Sequence, residues 1–189
     1  DPGVDLGLWV DGSKFIGCSA HSDGGAIMSF DGTLHVVDSD FEQCSIGSGL
    51  EDDTFGSAIG VEGYNQPEWT QSLVDGCKFD ENVCKDFGGR NDTNLACGAV
   101  AFRLNASKST PVGVTVRGSS FTGNNGGYGV GGLMVWNQGR GGSGPDVVVH
   151  SSNFTENQGG IAAIGVDLDV SDSNFVKNQQ NYWGGGAIH

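Results

Sequence analysis

Proline is scarce in this chain, with 4 in 189 residues, and basic residues are outnumbered, 9 Lys and Arg against 23 Asp and Glu. With so little proline and no Gly triplet period, the 34 glycines do not describe a collagen-like helix. A net charge of −14 repels phosphate backbones and anionic lipids, which argues against nucleic acid or a membrane surface as partner. No apolar run approaches the roughly 20 residues of a membrane-spanning helix, so no membrane insertion is expected. No segment sustains a 3.6-residue hydrophobic period, and no C-x-x-C pair offers a zinc site. An initiator Met and a signal-peptide pattern are missing too. The chain opens on Asp1-Pro2-Gly3 and is read as a mature product or an excised segment.

What the chain does contain is self-similarity. Six segments align on a phenylalanine, at Phe15, Phe41, Phe79, Phe121, Phe154 and Phe175. Five residues before each stands a valine: Val10, Val36, Val74, Val116, Val149 and Val170. Seven before is an aliphatic residue, except at Ser72. Three after come Cys18, Cys44, Asn82, Asn124, Asn157 and Asn178. A second run, opening on glycine and continuing with small or aliphatic residues, follows each Phe turn, as in Gly24-Gly25-Ala26-Ile27 and Gly185-Gly186-Ala187-Ile188. The Phe-to-Phe spacing runs 26, 38, 42, 33 and 21. Fixed columns with variable spacers place the insertions in loops outside a constant cross-section.

Short runs rich in Val, Ile and Phe are strands, and a 21-residue unit leaves no room for two strands and a crossover helix. The economical solution is an all-β chain coiled as a right-handed, single-stranded parallel β-helix of about six coils. Residues 1–189 then form one domain, a segment of a longer solenoid or a filament subunit. A β-sandwich is the alternative, but it does not explain why Phe turn and glycine corner recur in fixed order. Successive coils stack about 4.8 Å apart. The Phe column is expected to form an internal ladder, and Asn82, Asn124, Asn157 and Asn178 an amide ladder at the following turn. The paired glycines serve a corner needing positive φ or close backbone approach.

The alternation of Gly-Gly-Ala-Ile with Phe-x-x-Asn, clearest at Phe121-Thr122-Gly123-Asn124, Phe154-Thr155-Glu156-Asn157 and Phe175-Val176-Lys177-Asn178, resembles the repeat of chlamydial polymorphic outer-membrane proteins. That resemblance spans nearly the whole chain. It implies a β-helical passenger of the kind found in autotransporter adhesins, with similar repeats in large extracellular proteins of algae and other protists. Cys18 and Cys44 depart from the pattern by standing in the Asn column. The sequons and the acidic, Cys-containing loops resemble the eukaryotic relatives more than the bacterial ones.

Stacking places Cys18 and Cys44 at a separation a disulfide accepts, so a bond stapling the first two coils is expected. Cys84 and Cys97 flank one loop and are expected to close it. Cys77 falls in a column otherwise filled by serine and is read as a buried free thiol. Five cysteines and three sequons, at Asn91, Asn105 and Asn153, point to an oxidising, glycosylating compartment, hence a secreted or cell-surface location.

One outward column juxtaposes Asp75, Arg117 and His150, an acid, a cation and a titratable base. This is the candidate catalytic constellation of an alternative reading, a polysaccharide lyase or glycoside hydrolase. The preferred reading is a solvated stripe with a surface ion pair, and no enzyme. No cofactor is expected. Ca²⁺ is the one candidate, at Glu51-Asp52-Asp53 or at Asp167, Asp169 and Asp172, although neither has an EF-hand or nonapeptide spacing. Trp9, Trp69, Trp136 and Trp183 lie in different columns and make no sugar-stacking row. The expected role is therefore a structural or adhesive extracellular β-helix in a filament, hair, wall or adhesin. Its partners would be copies of itself, neighbouring solenoid segments, or cell-surface glycans or proteins. A glycan- or Ca²⁺-binding module is the third reading.

Overall fold

The computed structural model describes residues 7–47, 55–63, 71–85, 97–105, 113–127, 129–139, 145–179 and 185–189. These residues form strands and turns only, and every strand pairing is parallel. The chain visits its sheets in a repeating order, so each strand lies beside its equivalent one coil on. The result is a parallel β-solenoid of six coils.

One sheet, called here the valine sheet, contains Gly7–Asp11, Thr33–Val37, Gln71–Asp75, Gly113–Arg117, Asp146–His150 and Asp167–Ser171. The phenylalanine sheet contains Lys14–Ile16, Asp40–Glu42, Lys78–Asp80, Ser120–Thr122, Asn153–Thr155 and Asn174–Val176. The glycine-side sheet holds Ile27–Phe30, Ile59–Gly63, Val100–Leu104, Leu133–Asn137 and Ile161–Ile164. A short fourth sheet, absent from the sequence reading, joins Ser19–Ala20, Ser45–Ile46 and Val83–Cys84. Two-residue strands are too brief to leave a period-2 pattern.

Register follows the columns. Val36 pairs with Val10 and Val74, and Phe121 with Phe79 and Phe154. The six Phe rings stack face to face with centroids 4.6–5.0 Å apart and planes within 13°. Phe41, Phe79, Phe121 and Phe154 are buried, as are the valines of the inner coils. In-register stacking makes like meet like, so a flat ring at one coil requires a flat ring at the next.

The run before each Phe is broken into two strands by a left-handed residue three positions before it: Gly12, Asp38, Gly76, Gly118, Ser151 and Asp172, all with φ of 47–63°. A second left-handed corner falls two after the Phe, at Gly17, Gln43, Glu81, Gly123, Glu156 and Lys177. Non-glycine residues rarely adopt this conformation, yet here it recurs coil after coil. The adjacent columns hold it in place. Hydroxyls of Ser39, Ser119 and Ser152 each donate to the carbonyl two residues back, across the first corner, at 2.8–2.9 Å. Backbone N–H groups of the previous coil donate in turn to Ser119 and Ser152 Oγ at 3.1 and 3.3 Å.

Behind the second corner stand the asparagines. Asn82 Nδ2 donates to Asn124 Oδ1, Asn124 Nδ2 to Asn157 Oδ1 and Asn157 Nδ2 to Asn178 Oδ1, at 2.8–3.0 Å. Each of these amides also donates to a Phe carbonyl, and each Oδ1 accepts a backbone N–H of the preceding coil. Asn82, Asn124 and Asn157 are buried, so the ladder itself satisfies the corner's polar groups. The paired glycines answer to close approach more than to positive φ. A Cβ on Gly131 would stand 2.0 Å from the Asn124 carbonyl oxygen, and one on Gly25 2.1 Å from that of Ser57. Gly24 and Gly56 meet both demands.

The expected Cys18–Cys44 disulfide is a correction. Both coils are in place and in register, and both thiols are free. Each thiol also lies against a main-chain carbonyl, Cys44 Sγ 3.6 Å from Phe15 O and Cys18 Sγ 3.9 Å from Ile16 O, while the two thiols stay in hydrogen-bonding contact with each other. Cys44 thus copies the asparagine's donation to a Phe carbonyl. In-register parallel neighbours also run their Cα–Cβ bonds side by side, which works against the near-perpendicular dihedral of a disulfide. Cα separation alone was an insufficient criterion.

The Cys84–Cys97 bond is formed between two buried residues. Closing a loop across 13 positions restricts the unfolded chain by about 3 kcal/mol. Cys84→Ala with Cys97→Ala is therefore expected to lower the unfolding free energy by about 2–4 kcal/mol. Urea titrations with and without reductant check this, and a midpoint indifferent to both changes would contradict it.

Candidate functional site

Alternation along the valine sheet turns every second residue outward. Arg117 lies between Asp75 and His150 in the sheet register, so the three sequence candidates do meet on one outer column. Arg117 Nη2 stands 2.6 Å from Asp75 Oδ2. The hydrogen bond that Arg117 donates to Asp75, and then the carboxylate's charge, push the guanidinium above its ordinary range. His150 Nδ1 lies 3.3 Å from Ser151 Oγ. The arrangement commits the cation to its neighbouring carboxylate on an exposed face. Chemically it is an ion pair with an adjacent imidazole, open to solvent.

A second charged pair escaped the sequence reading. Glu62 and Arg103 are register partners on the outer side of the glycine-side sheet, with Arg103 Nη2 2.5 Å from Glu62 Oε1 and side chains only 9% and 8% exposed. The Arg103 guanidinium also lies 5.1 Å above the Phe55 ring centre. Nearby, outward Ala101, Met134 and Ala162 are buried with Phe55 and Val130. The middle of this sheet is thus buried on both faces, and the ion pair lies at the edge of the outer apolar cluster. The signal was present in Val61 and Phe102, whose inward aim turns Glu62 and Arg103 to the other side.

Thiol chemistry is muted. Burial pushes both the Cys44 and the Cys77 thiols up to about 11, leaving them protonated at neutral pH. Cys77 sits free in the serine column, its Sγ 3.2 Å from Asp75 O. Asp80, on the outer phenylalanine sheet, is raised above the carboxylate range by burial and by Glu81 and Glu42.

Of the Ca²⁺ candidates, Asp167, Asp169 and Asp172 are exposed, and no metal-holding group of three or more His, Cys, Asp or Glu occurs among the described residues. Glu51-Asp52-Asp53, Asn91, Trp69 and Trp183 lie outside the described residues. Asn105 and Asn153 are exposed, and Asn153 Oδ1 accepts from Asn174 Nδ2 at 2.9 Å in a second, surface amide pair. Trp9 and Trp136 belong to different sheets, and Trp9 stacks on His35 with ring centres 4.0 Å apart.

A groove opens where the described short sheet stops. The short sheet ends at Val83–Cys84, where only an isolated bridge joins Val83 to Asn125. In the coil of Asn157 the chain passes through Gln158 directly to Gly159 and Gly160. The step leaves a groove of about 830 Å³ lined by residues of four coils, among them Lys85, Asn125, Glu156, Gln158, Lys177 and Gln179. Comparison with family models, with curated proteins and with solved structures returns no match to this chain.

Proposed function

We propose that this chain is a structural and adhesive extracellular solenoid, of the kind implied by its resemblance to the polymorphic outer-membrane protein repeat. The observation that carries this reading is the contrast between inside and outside. The interior repeats the same Phe, Val and Ser or Asn contacts through the coils. One outward column reads Trp9, His35, Leu73, Thr115, Val148 and Asp169, with nothing repeated. Sequence constraint lies in building a stiff rod, and the surface is free to vary, as suits a spacer or adhesin. The Cys84–Cys97 disulfide and the exposed Asn105 and Asn153 sequons favour an oxidising, glycosylating compartment.

Immunogold labelling of unpermeabilised cells that make the protein is expected to decorate the surface, a wall or appendages. Label confined to the cell interior would overturn the reading. The enzyme alternative rests on Asp75, Arg117 and His150 and is tested with acidic and neutral polysaccharides. No new reducing ends or unsaturated products are expected, and Arg117→Ala should leave the thermal midpoint where it was, because its ion pair is solvent-exposed. Product release that disappears in Arg117→Ala would establish the enzyme instead.

A further inference from the structure

We propose that the corner groove binds a linear, carboxylate-bearing oligosaccharide lying along the solenoid axis. The proposal rests on the adhesive reading and supplies its ligand class. The groove's walls are built rather than incidental. Cys84, on the ledge, is tied to Cys97, and its N–H donates to Asn125 O at 2.8 Å. Gln158 Nε2 donates to Gly127 O at 2.5 Å, and Gly127 N to Asn125 Oδ1 at 2.8 Å. Gln158 and the backbone beside it are thus fixed in advance, which lowers the entropy lost when a ligand meets them.

The lining repeats at the coil spacing. Gln158 and Gln179 hold equivalent places, one residue past Asn157 and Asn178, and Gln179 O accepts from Gly159 N at 2.8 Å. Glu156 and Lys177 are equivalent in the same way and pair at 2.9 Å. From the coil of Lys85 to that of Gln179 is three steps, about 14 Å at the usual strand spacing. A sugar unit in an extended chain rises by nearly one coil step. Successive sugars would therefore meet successive carboxamides, which can both donate to and accept from hydroxyls.

Charge selects the class. The chain carries −14 overall, yet the groove presents two ammonium groups, Lys85 and Lys177, against the single carboxylate of Glu156. Glu156 is already met by Lys177, whereas no described residue pairs with Lys85. A uronate carboxylate beside Lys85 gains a charge-assisted hydrogen bond that a neutral sugar lacks. Such a contact is worth roughly tenfold or more in affinity, about 1.4 kcal/mol for each factor of ten.

Isothermal titration of the whole chain with hexagalacturonate, and with cellohexaose as the neutral probe, tests this. Hexagalacturonate is expected to bind, more weakly as salt rises, with cellohexaose weaker by about tenfold or more. Lys85→Gln with Lys177→Gln should raise the Kd for hexagalacturonate by at least about tenfold. Both side chains are exposed, so circular dichroism and the thermal midpoint should match the parent. Gln179→Ala, which leaves the charges intact, should weaken both probes together. No binding of hexagalacturonate, binding unaffected by the double lysine variant, or equal affinity for cellohexaose would each overturn the proposal. Surface labelling of native cells does not depend on this groove, so failure here removes the ligand and leaves the scaffold reading standing.

Discussion

Asn124→Leu is expected to lower the unfolding free energy by about 3–5 kcal/mol, although leucine nearly matches asparagine in size. Asn124 Oδ1 accepts from both the main-chain N–H and the side-chain amide of Asn82, and its Nδ2 donates to Phe79 O and Asn157 Oδ1. All of these groups are buried. Leucine removes the central link, leaving the Asn82 N–H and the Phe79 carbonyl without these bonds where no water reaches. Each orphaned buried group costs about 1–3 kcal/mol, so two of them bracket that range. The surface amide pair provides the contrast. Asn174 donates to Asn153 at 2.9 Å in full contact with solvent, so Asn174→Ala should cost less than about 0.5 kcal/mol. Denaturant titrations of the two variants beside the parent read the difference. Equal, small losses would show that the buried amides are not a cooperative ladder.

Phe121→Ala should be about as damaging, at about 3–5 kcal/mol, but for a different reason. Its ring lies between Phe79 and Phe154, with centroids at 4.8 and 4.6 Å, and is wholly buried. Truncation removes the ring's apolar burial and leaves a void that two stacked neighbours, fixed to their own coils, cannot close. At the end of the ladder Phe15 has one described ring neighbour, Phe41, and is only partly buried. Phe15→Ala is accordingly expected to cost less than half as much. Equal costs at the middle and the end would mean that the rings contribute singly rather than as a stack.

The scaffold was legible because stacking imposes identity. A residue facing inward sits against its own equivalent one coil away, so Phe, Val and Asn return in fixed columns however long the spacers. The corners were less legible. Their left-handed residues are Gly, Asp, Ser, Gln, Glu and Lys in different coils, because the neighbouring Ser or Asn, not the corner residue itself, stabilises the turn. Two-residue strands such as Ser19–Ala20 carry no period to detect. The Asp75, Arg117 and His150 column was read correctly from register alone. The groove was not, since it exists where a strand pairing stops, and an absence leaves no motif. Cys18 and Cys44 illustrate the remaining gap: a column predicts proximity, and proximity alone does not make the bond.

The stacked ladder itself is most directly tested by nuclear Overhauser contacts between ring protons in phenylalanine-labelled protein. A continuous solenoid predicts that Phe121 shows ring contacts to Phe79 and Phe154, and that Phe154 also contacts Phe175. Rings that see no other member of the series, or a Phe121 touching Phe175 but not Phe154, would contradict a chain coiled upon itself in register.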